Sequence, residues 1–349
     1  MRKIYRTLKE TKMKTLTENR YLRLPDAPPI HGLFFRGFLG KSDYPKMASV
    51  MQRCRNVDQI ERADTAEDIA RWYRHLVNSD PYKDMLFAEF NGQVIGYGRV
   101  SWREELDKTR IYKQFGYVLP EWRGRGIGRA MLHYHQRRLL KIAAGHPKNA
   151  VRFYESWAAE TETEAIKLYL DEGYTVVRYF YEMVRPDLDD IPEAPMPSNL
   201  DVRPVLPEHY QAIHDASLEA FRDHWGYSED QEPSIEEYLE DPNFDPTLWR
   251  VAWDGSEVVG MVRSFINPKE NAEYNRKRGW TEEICVRRPW RRRGLARSLL
   301  VQSLHAVKER GMHEAGLGVD TLNSTGALHL YESVGFKPIR QWSTFHKKF

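Results

Sequence analysis

The 349-residue chain sets 53 Lys and Arg against 50 Asp and Glu, for a net charge of +3, and 41% of its residues are hydrophobic. That length accommodates two domains of ordinary size, and the balanced charge gives no general attraction to nucleic acid. No apolar run approaches the ~18 residues of a membrane span, and the two cysteines, Cys54 and Cys285, fit a reducing, cytoplasmic compartment with no disulfide framework and no metal site.

The basic start MRKIYRTLKETKMKTL has no apolar core of the kind a secretory leader needs, so residues 1–16 read as a tail, with Met13 an alternative start. Residues 31–39 follow as a strand, and 46–60 and 65–78 as helices. Asn91-Gly92 is a strong hairpin signal, so 85–90 and 94–102 are expected to pair around it. A strand over 110–119, a helix over 125–144, a strand over 151–157, a helix over 162–172 stopped by Gly173 and a strand over 174–184 complete the first half. Residues 186–199, PDLDDIPEAPMPSN, hold four prolines and read as a stiff linker between a domain over 17–185 and a second over 200–349.

The second half repeats the order. Strand 200–205 and helix 207–220 lead through a mixed region to 239, and 249–253 pairs with 258–265 around Asp254-Gly255. Strand 279–286, helix 293–310, strand 315–321, helix 325–334 and strand 336–345 follow. The repeat is explicit where residues 117–132, YVLPEWRGRGIGRAML, align without gaps on residues 285–300, CVRRPWRRRGLARSLL. Each copy is a strand, an Arg/Gly turn and a long helix. Gly126 and Gly294 let backbone approach a ligand closely, and the unpaired amides and dipole of the following helix favour an anion. A pyrophosphate there would lie among Val118, Arg123, Gly124, Arg125, Gly126, Ile127, Gly128 and Arg129 in the first copy. In the second it would meet Cys285, Val286, Arg288, Arg291, Arg292, Arg293, Gly294, Leu295, Ala296 and Arg297. A Walker A loop is excluded because neither copy ends in Gly-Lys-Ser/Thr. A dinucleotide fingerprint is excluded because Arg129 stands where its third glycine belongs. A nucleic-acid patch over 287–293 is the rival explanation of the basic cluster.

R-x-x-G-x-G/A after V-x-P or V-x-x-P resembles the acyl-CoA pyrophosphate loop of the GCN5-related N-acetyltransferase (GNAT) family. The resemblance covers both halves and implies an α/β chain of two tandem GNAT folds, each a mixed, mostly antiparallel sheet flanked by helices. In plan it is similar to two-domain acetyltransferases of the mycothiol synthase type, whose C-terminal domain is the active one. It implies acetyl-CoA as cofactor. A second paired motif supports it: Ala165-x-x-Leu168-Tyr169-x-x-x-Gly173-Tyr174, and Asn323 followed by Ala327-x-x-Leu330-Tyr331-x-x-x-Gly335-Phe336. In the family the matching tyrosine is a general acid beside the thioester sulfur, which assigns that role to Tyr331 and puts Tyr169 and Asn323 in cofactor pockets. These tyrosines also fit plain amphipathic core aromatics.

An alkylamine is charged at neutral pH, so a base is needed. Glu282, with Glu283 beside it, stands nine residues before Arg291, whereas Gln114 stands nine before Arg123 and cannot be a base. Alternation along a strand lets only one of the two glutamates face the cleft, and an exposed strand carboxylate is the plain alternative. Catalysis is therefore expected in the second half. Asp223, His224 and Trp225 are candidates for holding a cationic amine, with solvated charge at a helix end as the alternative. His224 has no partner at metal-ligand spacing, so no metal is expected. The expected activity is transfer of acetyl to a primary amine of a small molecule by direct attack, in a monomer or homodimer. Acetylation of a peptide amine and non-catalytic acyl-CoA sensing are the alternatives.

Overall fold

The structure, a computed structural model, describes residues 21–323 and 325–349; the expected tail over 1–16 and Met13 lie outside them. The first half supplies strands β1 (Tyr21–Leu22), β2 (Leu33–Arg36), β3 (Met85–Phe90), β4 (Gln93–Glu104), β5 (Arg110–Val118), β6 (Arg152–Ala159) and β7 (Thr175–Arg185). Its helices are α1 (Tyr44–Asp58), α2 (Ala66–Trp72), α3 (Pro81–Asp84), α4 (Ile127–Ala143) and α5 (Thr163–Asp171). The second half supplies β8 (Asp201–Arg203), β9 (Arg250–Asp254), β10 (Glu257–Ile266), β11 (Arg278–Val286), β12 (Glu314–Asp320) and β13 (Lys337–Lys348). Its helices are α6 (Tyr210–Phe221), α7 (Ile235–Leu239), α8 (Pro268–Glu273), α9 (Leu295–Glu309) and α10 (Ala327–Ser333).

Local chemistry accounts for most boundaries. Asn91 and Gly92 both take positive φ, 48° and 84°, and turn β3 into β4. α4 buries Ile127, Ala130, Met131, His135 and Leu139 along one stripe against the sheet. Thr65 and Asp68 close a capping box on α2. That helix stops at Trp72 instead of running to 78, because the amides of Arg74 and His75 bond back three residues to Arg71 and Trp72.

The strands form a single sheet in the order β1-β2-β3-β4-β5-β6-β13-β7-β12-β11-β10-β9-β8. Pairing is antiparallel except for β5 with β6 and β11 with β12. The centre differs from the expectation that each half closes its own sheet. β13, the last strand of the chain, pairs with β6 of the first half, and β7 pairs with β12 of the second. β13 and β7 also pair with each other, joining the halves. Packing follows the exchange. Met183 of β7 is fully buried among Leu300, Leu317 and Val319, and Phe345 of β13 among Tyr112, Ala158 and Tyr169.

Residues 186–199 hold neither helix nor strand but are not a free spacer. Leu188 is buried in the second core, the Leu188 carbonyl accepts from Lys308 Nζ at 2.6 Å, and Met196 takes the Ser298 hydroxyl at 3.3 Å. Among the described residues no helix is long and apolar enough to cross a membrane.

Candidate active site

In the second half, β11 and β12 pair only from Arg278 with Glu314 to Trp280 with Gly316, and then diverge. Two cavities open beside the divergence. One, of about 410 Å³, is lined by Cys285, Val286, Arg291, Arg292, Gly294, Leu295, Ala296 and Arg297. The other, of about 340 Å³, is lined by Glu282, Glu283, Asp320, Asn323 and a ring of aromatics. His224, Ile284, Thr325, Ala327 and Tyr331 line both, so Tyr331 stands at their junction.

The first cavity is the expected phosphate turn. Gly294 caps α9 with φ 83°, and no side chain caps the helix, which leaves its first amides directed outward. A side chain at Gly294 would meet nothing within 4 Å, so the mouth is open. Arg291 is not directed at a ligand: its Nε donates to the Val286 carbonyl at 2.8 Å and its Nη1 to Asp223 at 2.6 Å. Arg288 is also on Asp223, at 2.9 Å, and neither it nor the exposed Arg293 lines the cavity. That leaves Arg292 and Arg297 as the cations on its wall without a carboxylate partner among the described residues. Asn323 is placed on the second cavity, where its side-chain oxygen accepts from the Thr325 amide at 2.8 Å and shapes the entry to α10.

β11 carries a bulge where the chemistry is expected. Met261 pairs with Cys285 and Arg263 with Glu282, so three steps on β11 face two on β10, and Glu283 adopts φ 47°. The bulge breaks the alternation, and both glutamates line the second cavity, correcting the expectation that only one would face a cleft. They are not equivalent. Glu283 is fixed by an ion pair with Arg263 and a 2.6 Å hydrogen bond from the Tyr238 hydroxyl. Asp320 is held by Arg178 at 2.6 and 2.8 Å, and Glu182 by Arg340 at 2.9 Å. Among the described residues, Glu282 is the cavity carboxylate with no arginine partner. Burial, reinforced by the neighbouring Glu283 charge and opposed by Arg62, pushes its carboxyl up to about 7.

Tyr331 is 5% exposed, and burial followed by the Glu282 and Cys285 charges holds its phenol above the ordinary range, so it is fully protonated at neutral pH. Burial likewise pushes the Cys285 thiol up to about 12, which keeps it protonated and a poor nucleophile. Burial lowers the His224 imidazole, which is neutral beside Tyr331.

The expected amine-binding trio separates. Asp223 is committed to Arg288 and Arg291, and their hydrogen bonds hold its carboxyl far below the usual range, so it anchors the phosphate turn. Trp225 lines neither cavity; it stacks on His346 at 5.8 Å and lies under Arg178 at 5.5 Å. Only His224 reaches the site. Other walls come from the first half: Arg62, Phe180, Tyr181 and Glu182. No local motif marked these residues: exchange of β7 brings Phe180, Tyr181 and Glu182 there, and contacts from the second half hold the loop after α1 that carries Arg62.

The first half holds a counterpart cavity of about 320 Å³, lined by Val118, Arg123, Gly124, Gly126, Gly128, Arg129 and Tyr169. Arg123 is clamped on Asp58 by two 2.6 Å bonds, matching Arg291 on Asp223. Arg125 stacks on Trp122 at 5.0 Å, and Ile127 is fully buried, so neither lines it. Arg129 bonds Glu172 at 2.7 Å, and Pro28 lies over Gly126, 3.5 Å from where a Cβ would stand. β5 pairs with β4 without a bulge, and Gln114 donates to the Tyr174 hydroxyl at 2.5 Å. No group of three or more metal-ligating side chains occurs among the described residues.

Two family models match the chain: the Acetyltransferase (GNAT) family over residues 210–336, and an Acetyltransferase (GNAT) domain over residues 81–176. Among curated proteins, the mycothiol acetyltransferase of Salinispora tropica is 27% identical over 308 residues, 86% of this chain and 91% of the relative. That of Streptomyces bingchenggensis is 28% identical over 260 residues, 72% of this chain and 77% of the relative. Among solved structures, a GCN5-related N-acetyltransferase from Sphaerobacter thermophilus superposes with a TM-score of 0.70 at 25% identity, covering 91% of this chain and 96% of that one. A tandem GNAT protein from the clavulanic acid biosynthesis pathway superposes with a TM-score of 0.62 at 16% identity, covering 90% and 98%, and shares the fold.

Proposed function

Because the chain belongs to the GNAT family of N-acetyltransferases and carries two of its domains, we propose that the second half transfers an acetyl group from acetyl-CoA to a primary amine of a small molecule. The observation that carries this reading is the meeting, at one strand bulge, of a glutamate in no ion pair among the described residues, a protonated tyrosine and two adjoining cavities. The outward amides of α9, with Arg292 and Arg297, suit the pyrophosphate, and bound acetyl-CoA supplies the acetyl group and a thiolate leaving group. Glu282 takes a proton from the ammonium and frees the nitrogen lone pair for attack. Tyr331 gives its phenolic proton to the departing sulfur, and the second proton of the attacking nitrogen, shed as the C–S bond breaks and the amide forms, restores the phenol. The bulged segment, out of register with β10, offers main-chain amide to the thioester carbonyl.

The first half keeps the turn and a cavity but lacks the bulge and has Gln114 where the second half has Glu282, so in this reading it holds or supports without catalysing. Acetyl-transfer assays, with calorimetric titration of acetyl-CoA alongside, on wild type, Gly294→Glu and Gly126→Glu, each verified as folded, test the division. Loss of turnover in Gly294→Glu with turnover retained in Gly126→Glu is expected. The reverse pattern would move the chemistry to the first half.

A further inference from the structure

The acceptor-side cavity has an unbalanced pair of charges. Glu182, Glu283 and Asp320 each have an arginine, whereas Glu282 has none within ion-pair distance. Arg62, on the same wall, has no carboxylate partner among the described residues. Its place is built. Gln59 ends α1 in the left-handed region at φ 55° and turns the chain toward the cavity. The second half then pins the segment three times: Arg340 on the Gln59 carbonyl, Arg276 on Glu61, and the Tyr274 hydroxyl on the Arg62 carbonyl at 3.3 Å. Phe180, Trp280 and Trp342 supply aromatic walls to the same cavity, which Arg62 lines as an exposed residue.

A simple alkylamine would compensate Glu282 and leave the guanidinium facing the ligand unmatched. A guanidinium with open donors is a planar fork that suits carboxylate or phosphate. We infer that the acceptor is a zwitterion, an amine that also carries a carboxylate or phosphate, with Arg62 of the first half holding the anion while the nitrogen lies at Glu282. This deepens the proposed acetyl transfer and rests on it. It also makes the first half a contributor to acceptor choice, whatever its own cavity binds.

The test compares matched amines in acetyl transfer: phenylalanine with phenylalaninamide, β-alanine with β-alaninamide, and phosphoethanolamine with ethanolamine. Wild type should prefer the anionic member of at least one pair by roughly 10- to 100-fold in kcat/KM, mainly through KM, as expected for hydrogen bonds to a charged group. Arg62→Gln should bring the two members of that pair together, and Arg62→Lys should restore part of the preference. A purely structural arginine would lower both members alike and keep their ratio. Equal treatment of every pair by wild type, or an unchanged ratio in Arg62→Gln, overturns the inference. If wild type acetylates no amine at all, the acetyl-transfer reading fails instead. Arg62 is then judged by thermal shift with CoA present: stabilisation by the anionic member alone, lost in Arg62→Gln, supports its role, and equal or absent shifts overturn it.

Discussion

Phe345, four residues before the end of the chain, packs its ring 5.3 Å from that of Tyr169 in the other half of the repeat. The contact is one side of a reciprocal exchange, whose other side is Met183 in the second core. Each half therefore lacks a core strand unless the other is present. Phe345→Ala should destabilise the first half by about 3–5 kcal/mol through lost burial and a residual cavity. A chain cut after residue 186 should fail to give a cooperative thermal transition. Independent melting of the isolated first half would contradict the exchange.

Tyr331→Phe removes one oxygen from a buried side chain and leaves its packing on Phe336 intact. Turnover should fall by about 100-fold, the lower end for a lost general acid, while acetyl-CoA affinity measured by calorimetry stays within twofold of wild type. An unchanged kcat would take Tyr331 out of the proton path.

The family, the tandem plan and the two Gly-capped strand-turn-helix units were legible because their signals are local: glycines at fixed offsets, a strand before and a helix after. The exchange was not. β7 and β13 each read as a terminal strand, and nothing in such a pattern names its partner. The bulge at Glu283 was equally hidden, since a non-glycine residue in the left-handed region leaves no compositional mark. Some misreadings were avoidable. Asp58 at the end of α1 and Asp223 just past the end of α6 clamp the aligned arginines Arg123 and Arg291, so the repeat itself argued against Asp223 as an amine ligand. Asp26-Ala27-Pro28 stands as far before Arg36 as Glu193-Ala194-Pro195 before Arg203. That match puts the end of the apparent linker inside the second repeat, where Ala194 and Met196 pack on the second half.

Asp223→Asn tests the clamp. Losing the carboxylate charge weakens its bonds to Arg288 and Arg291 and loosens the turn they shape. The KM for acetyl-CoA should rise roughly ten- to a hundredfold, the scale at which small misplacements are felt, with the amine KM little changed. A selective rise in the amine KM would return Asp223 to the acceptor pocket.

Glu282→Gln separates the base from its neighbours. With its carboxyl raised to about 7 by burial, wild-type Glu282 is half ionised near neutrality, and the acid limb of kcat/KM should bend there. The glutamine variant should lose that limb and most of its turnover; a limb that survives would give the proton to Glu283 or to a chain of waters. Stability supplies an independent check of the same shift. A carboxyl whose folded value lies above its unfolded value binds its proton more tightly in the native state. Wild type is thus progressively destabilised as pH rises from the unfolded carboxyl range through about 7, the span over which Glu282 ionises. Glutamine has no charge to lose, so thermal melts of variant and wild type should agree near pH 4 and separate at pH 8 with the variant the more stable. Coincident melts at both pH values would mean that Glu282 ionises in the native protein as it does in the unfolded chain, and that its burial does not tune it as a base.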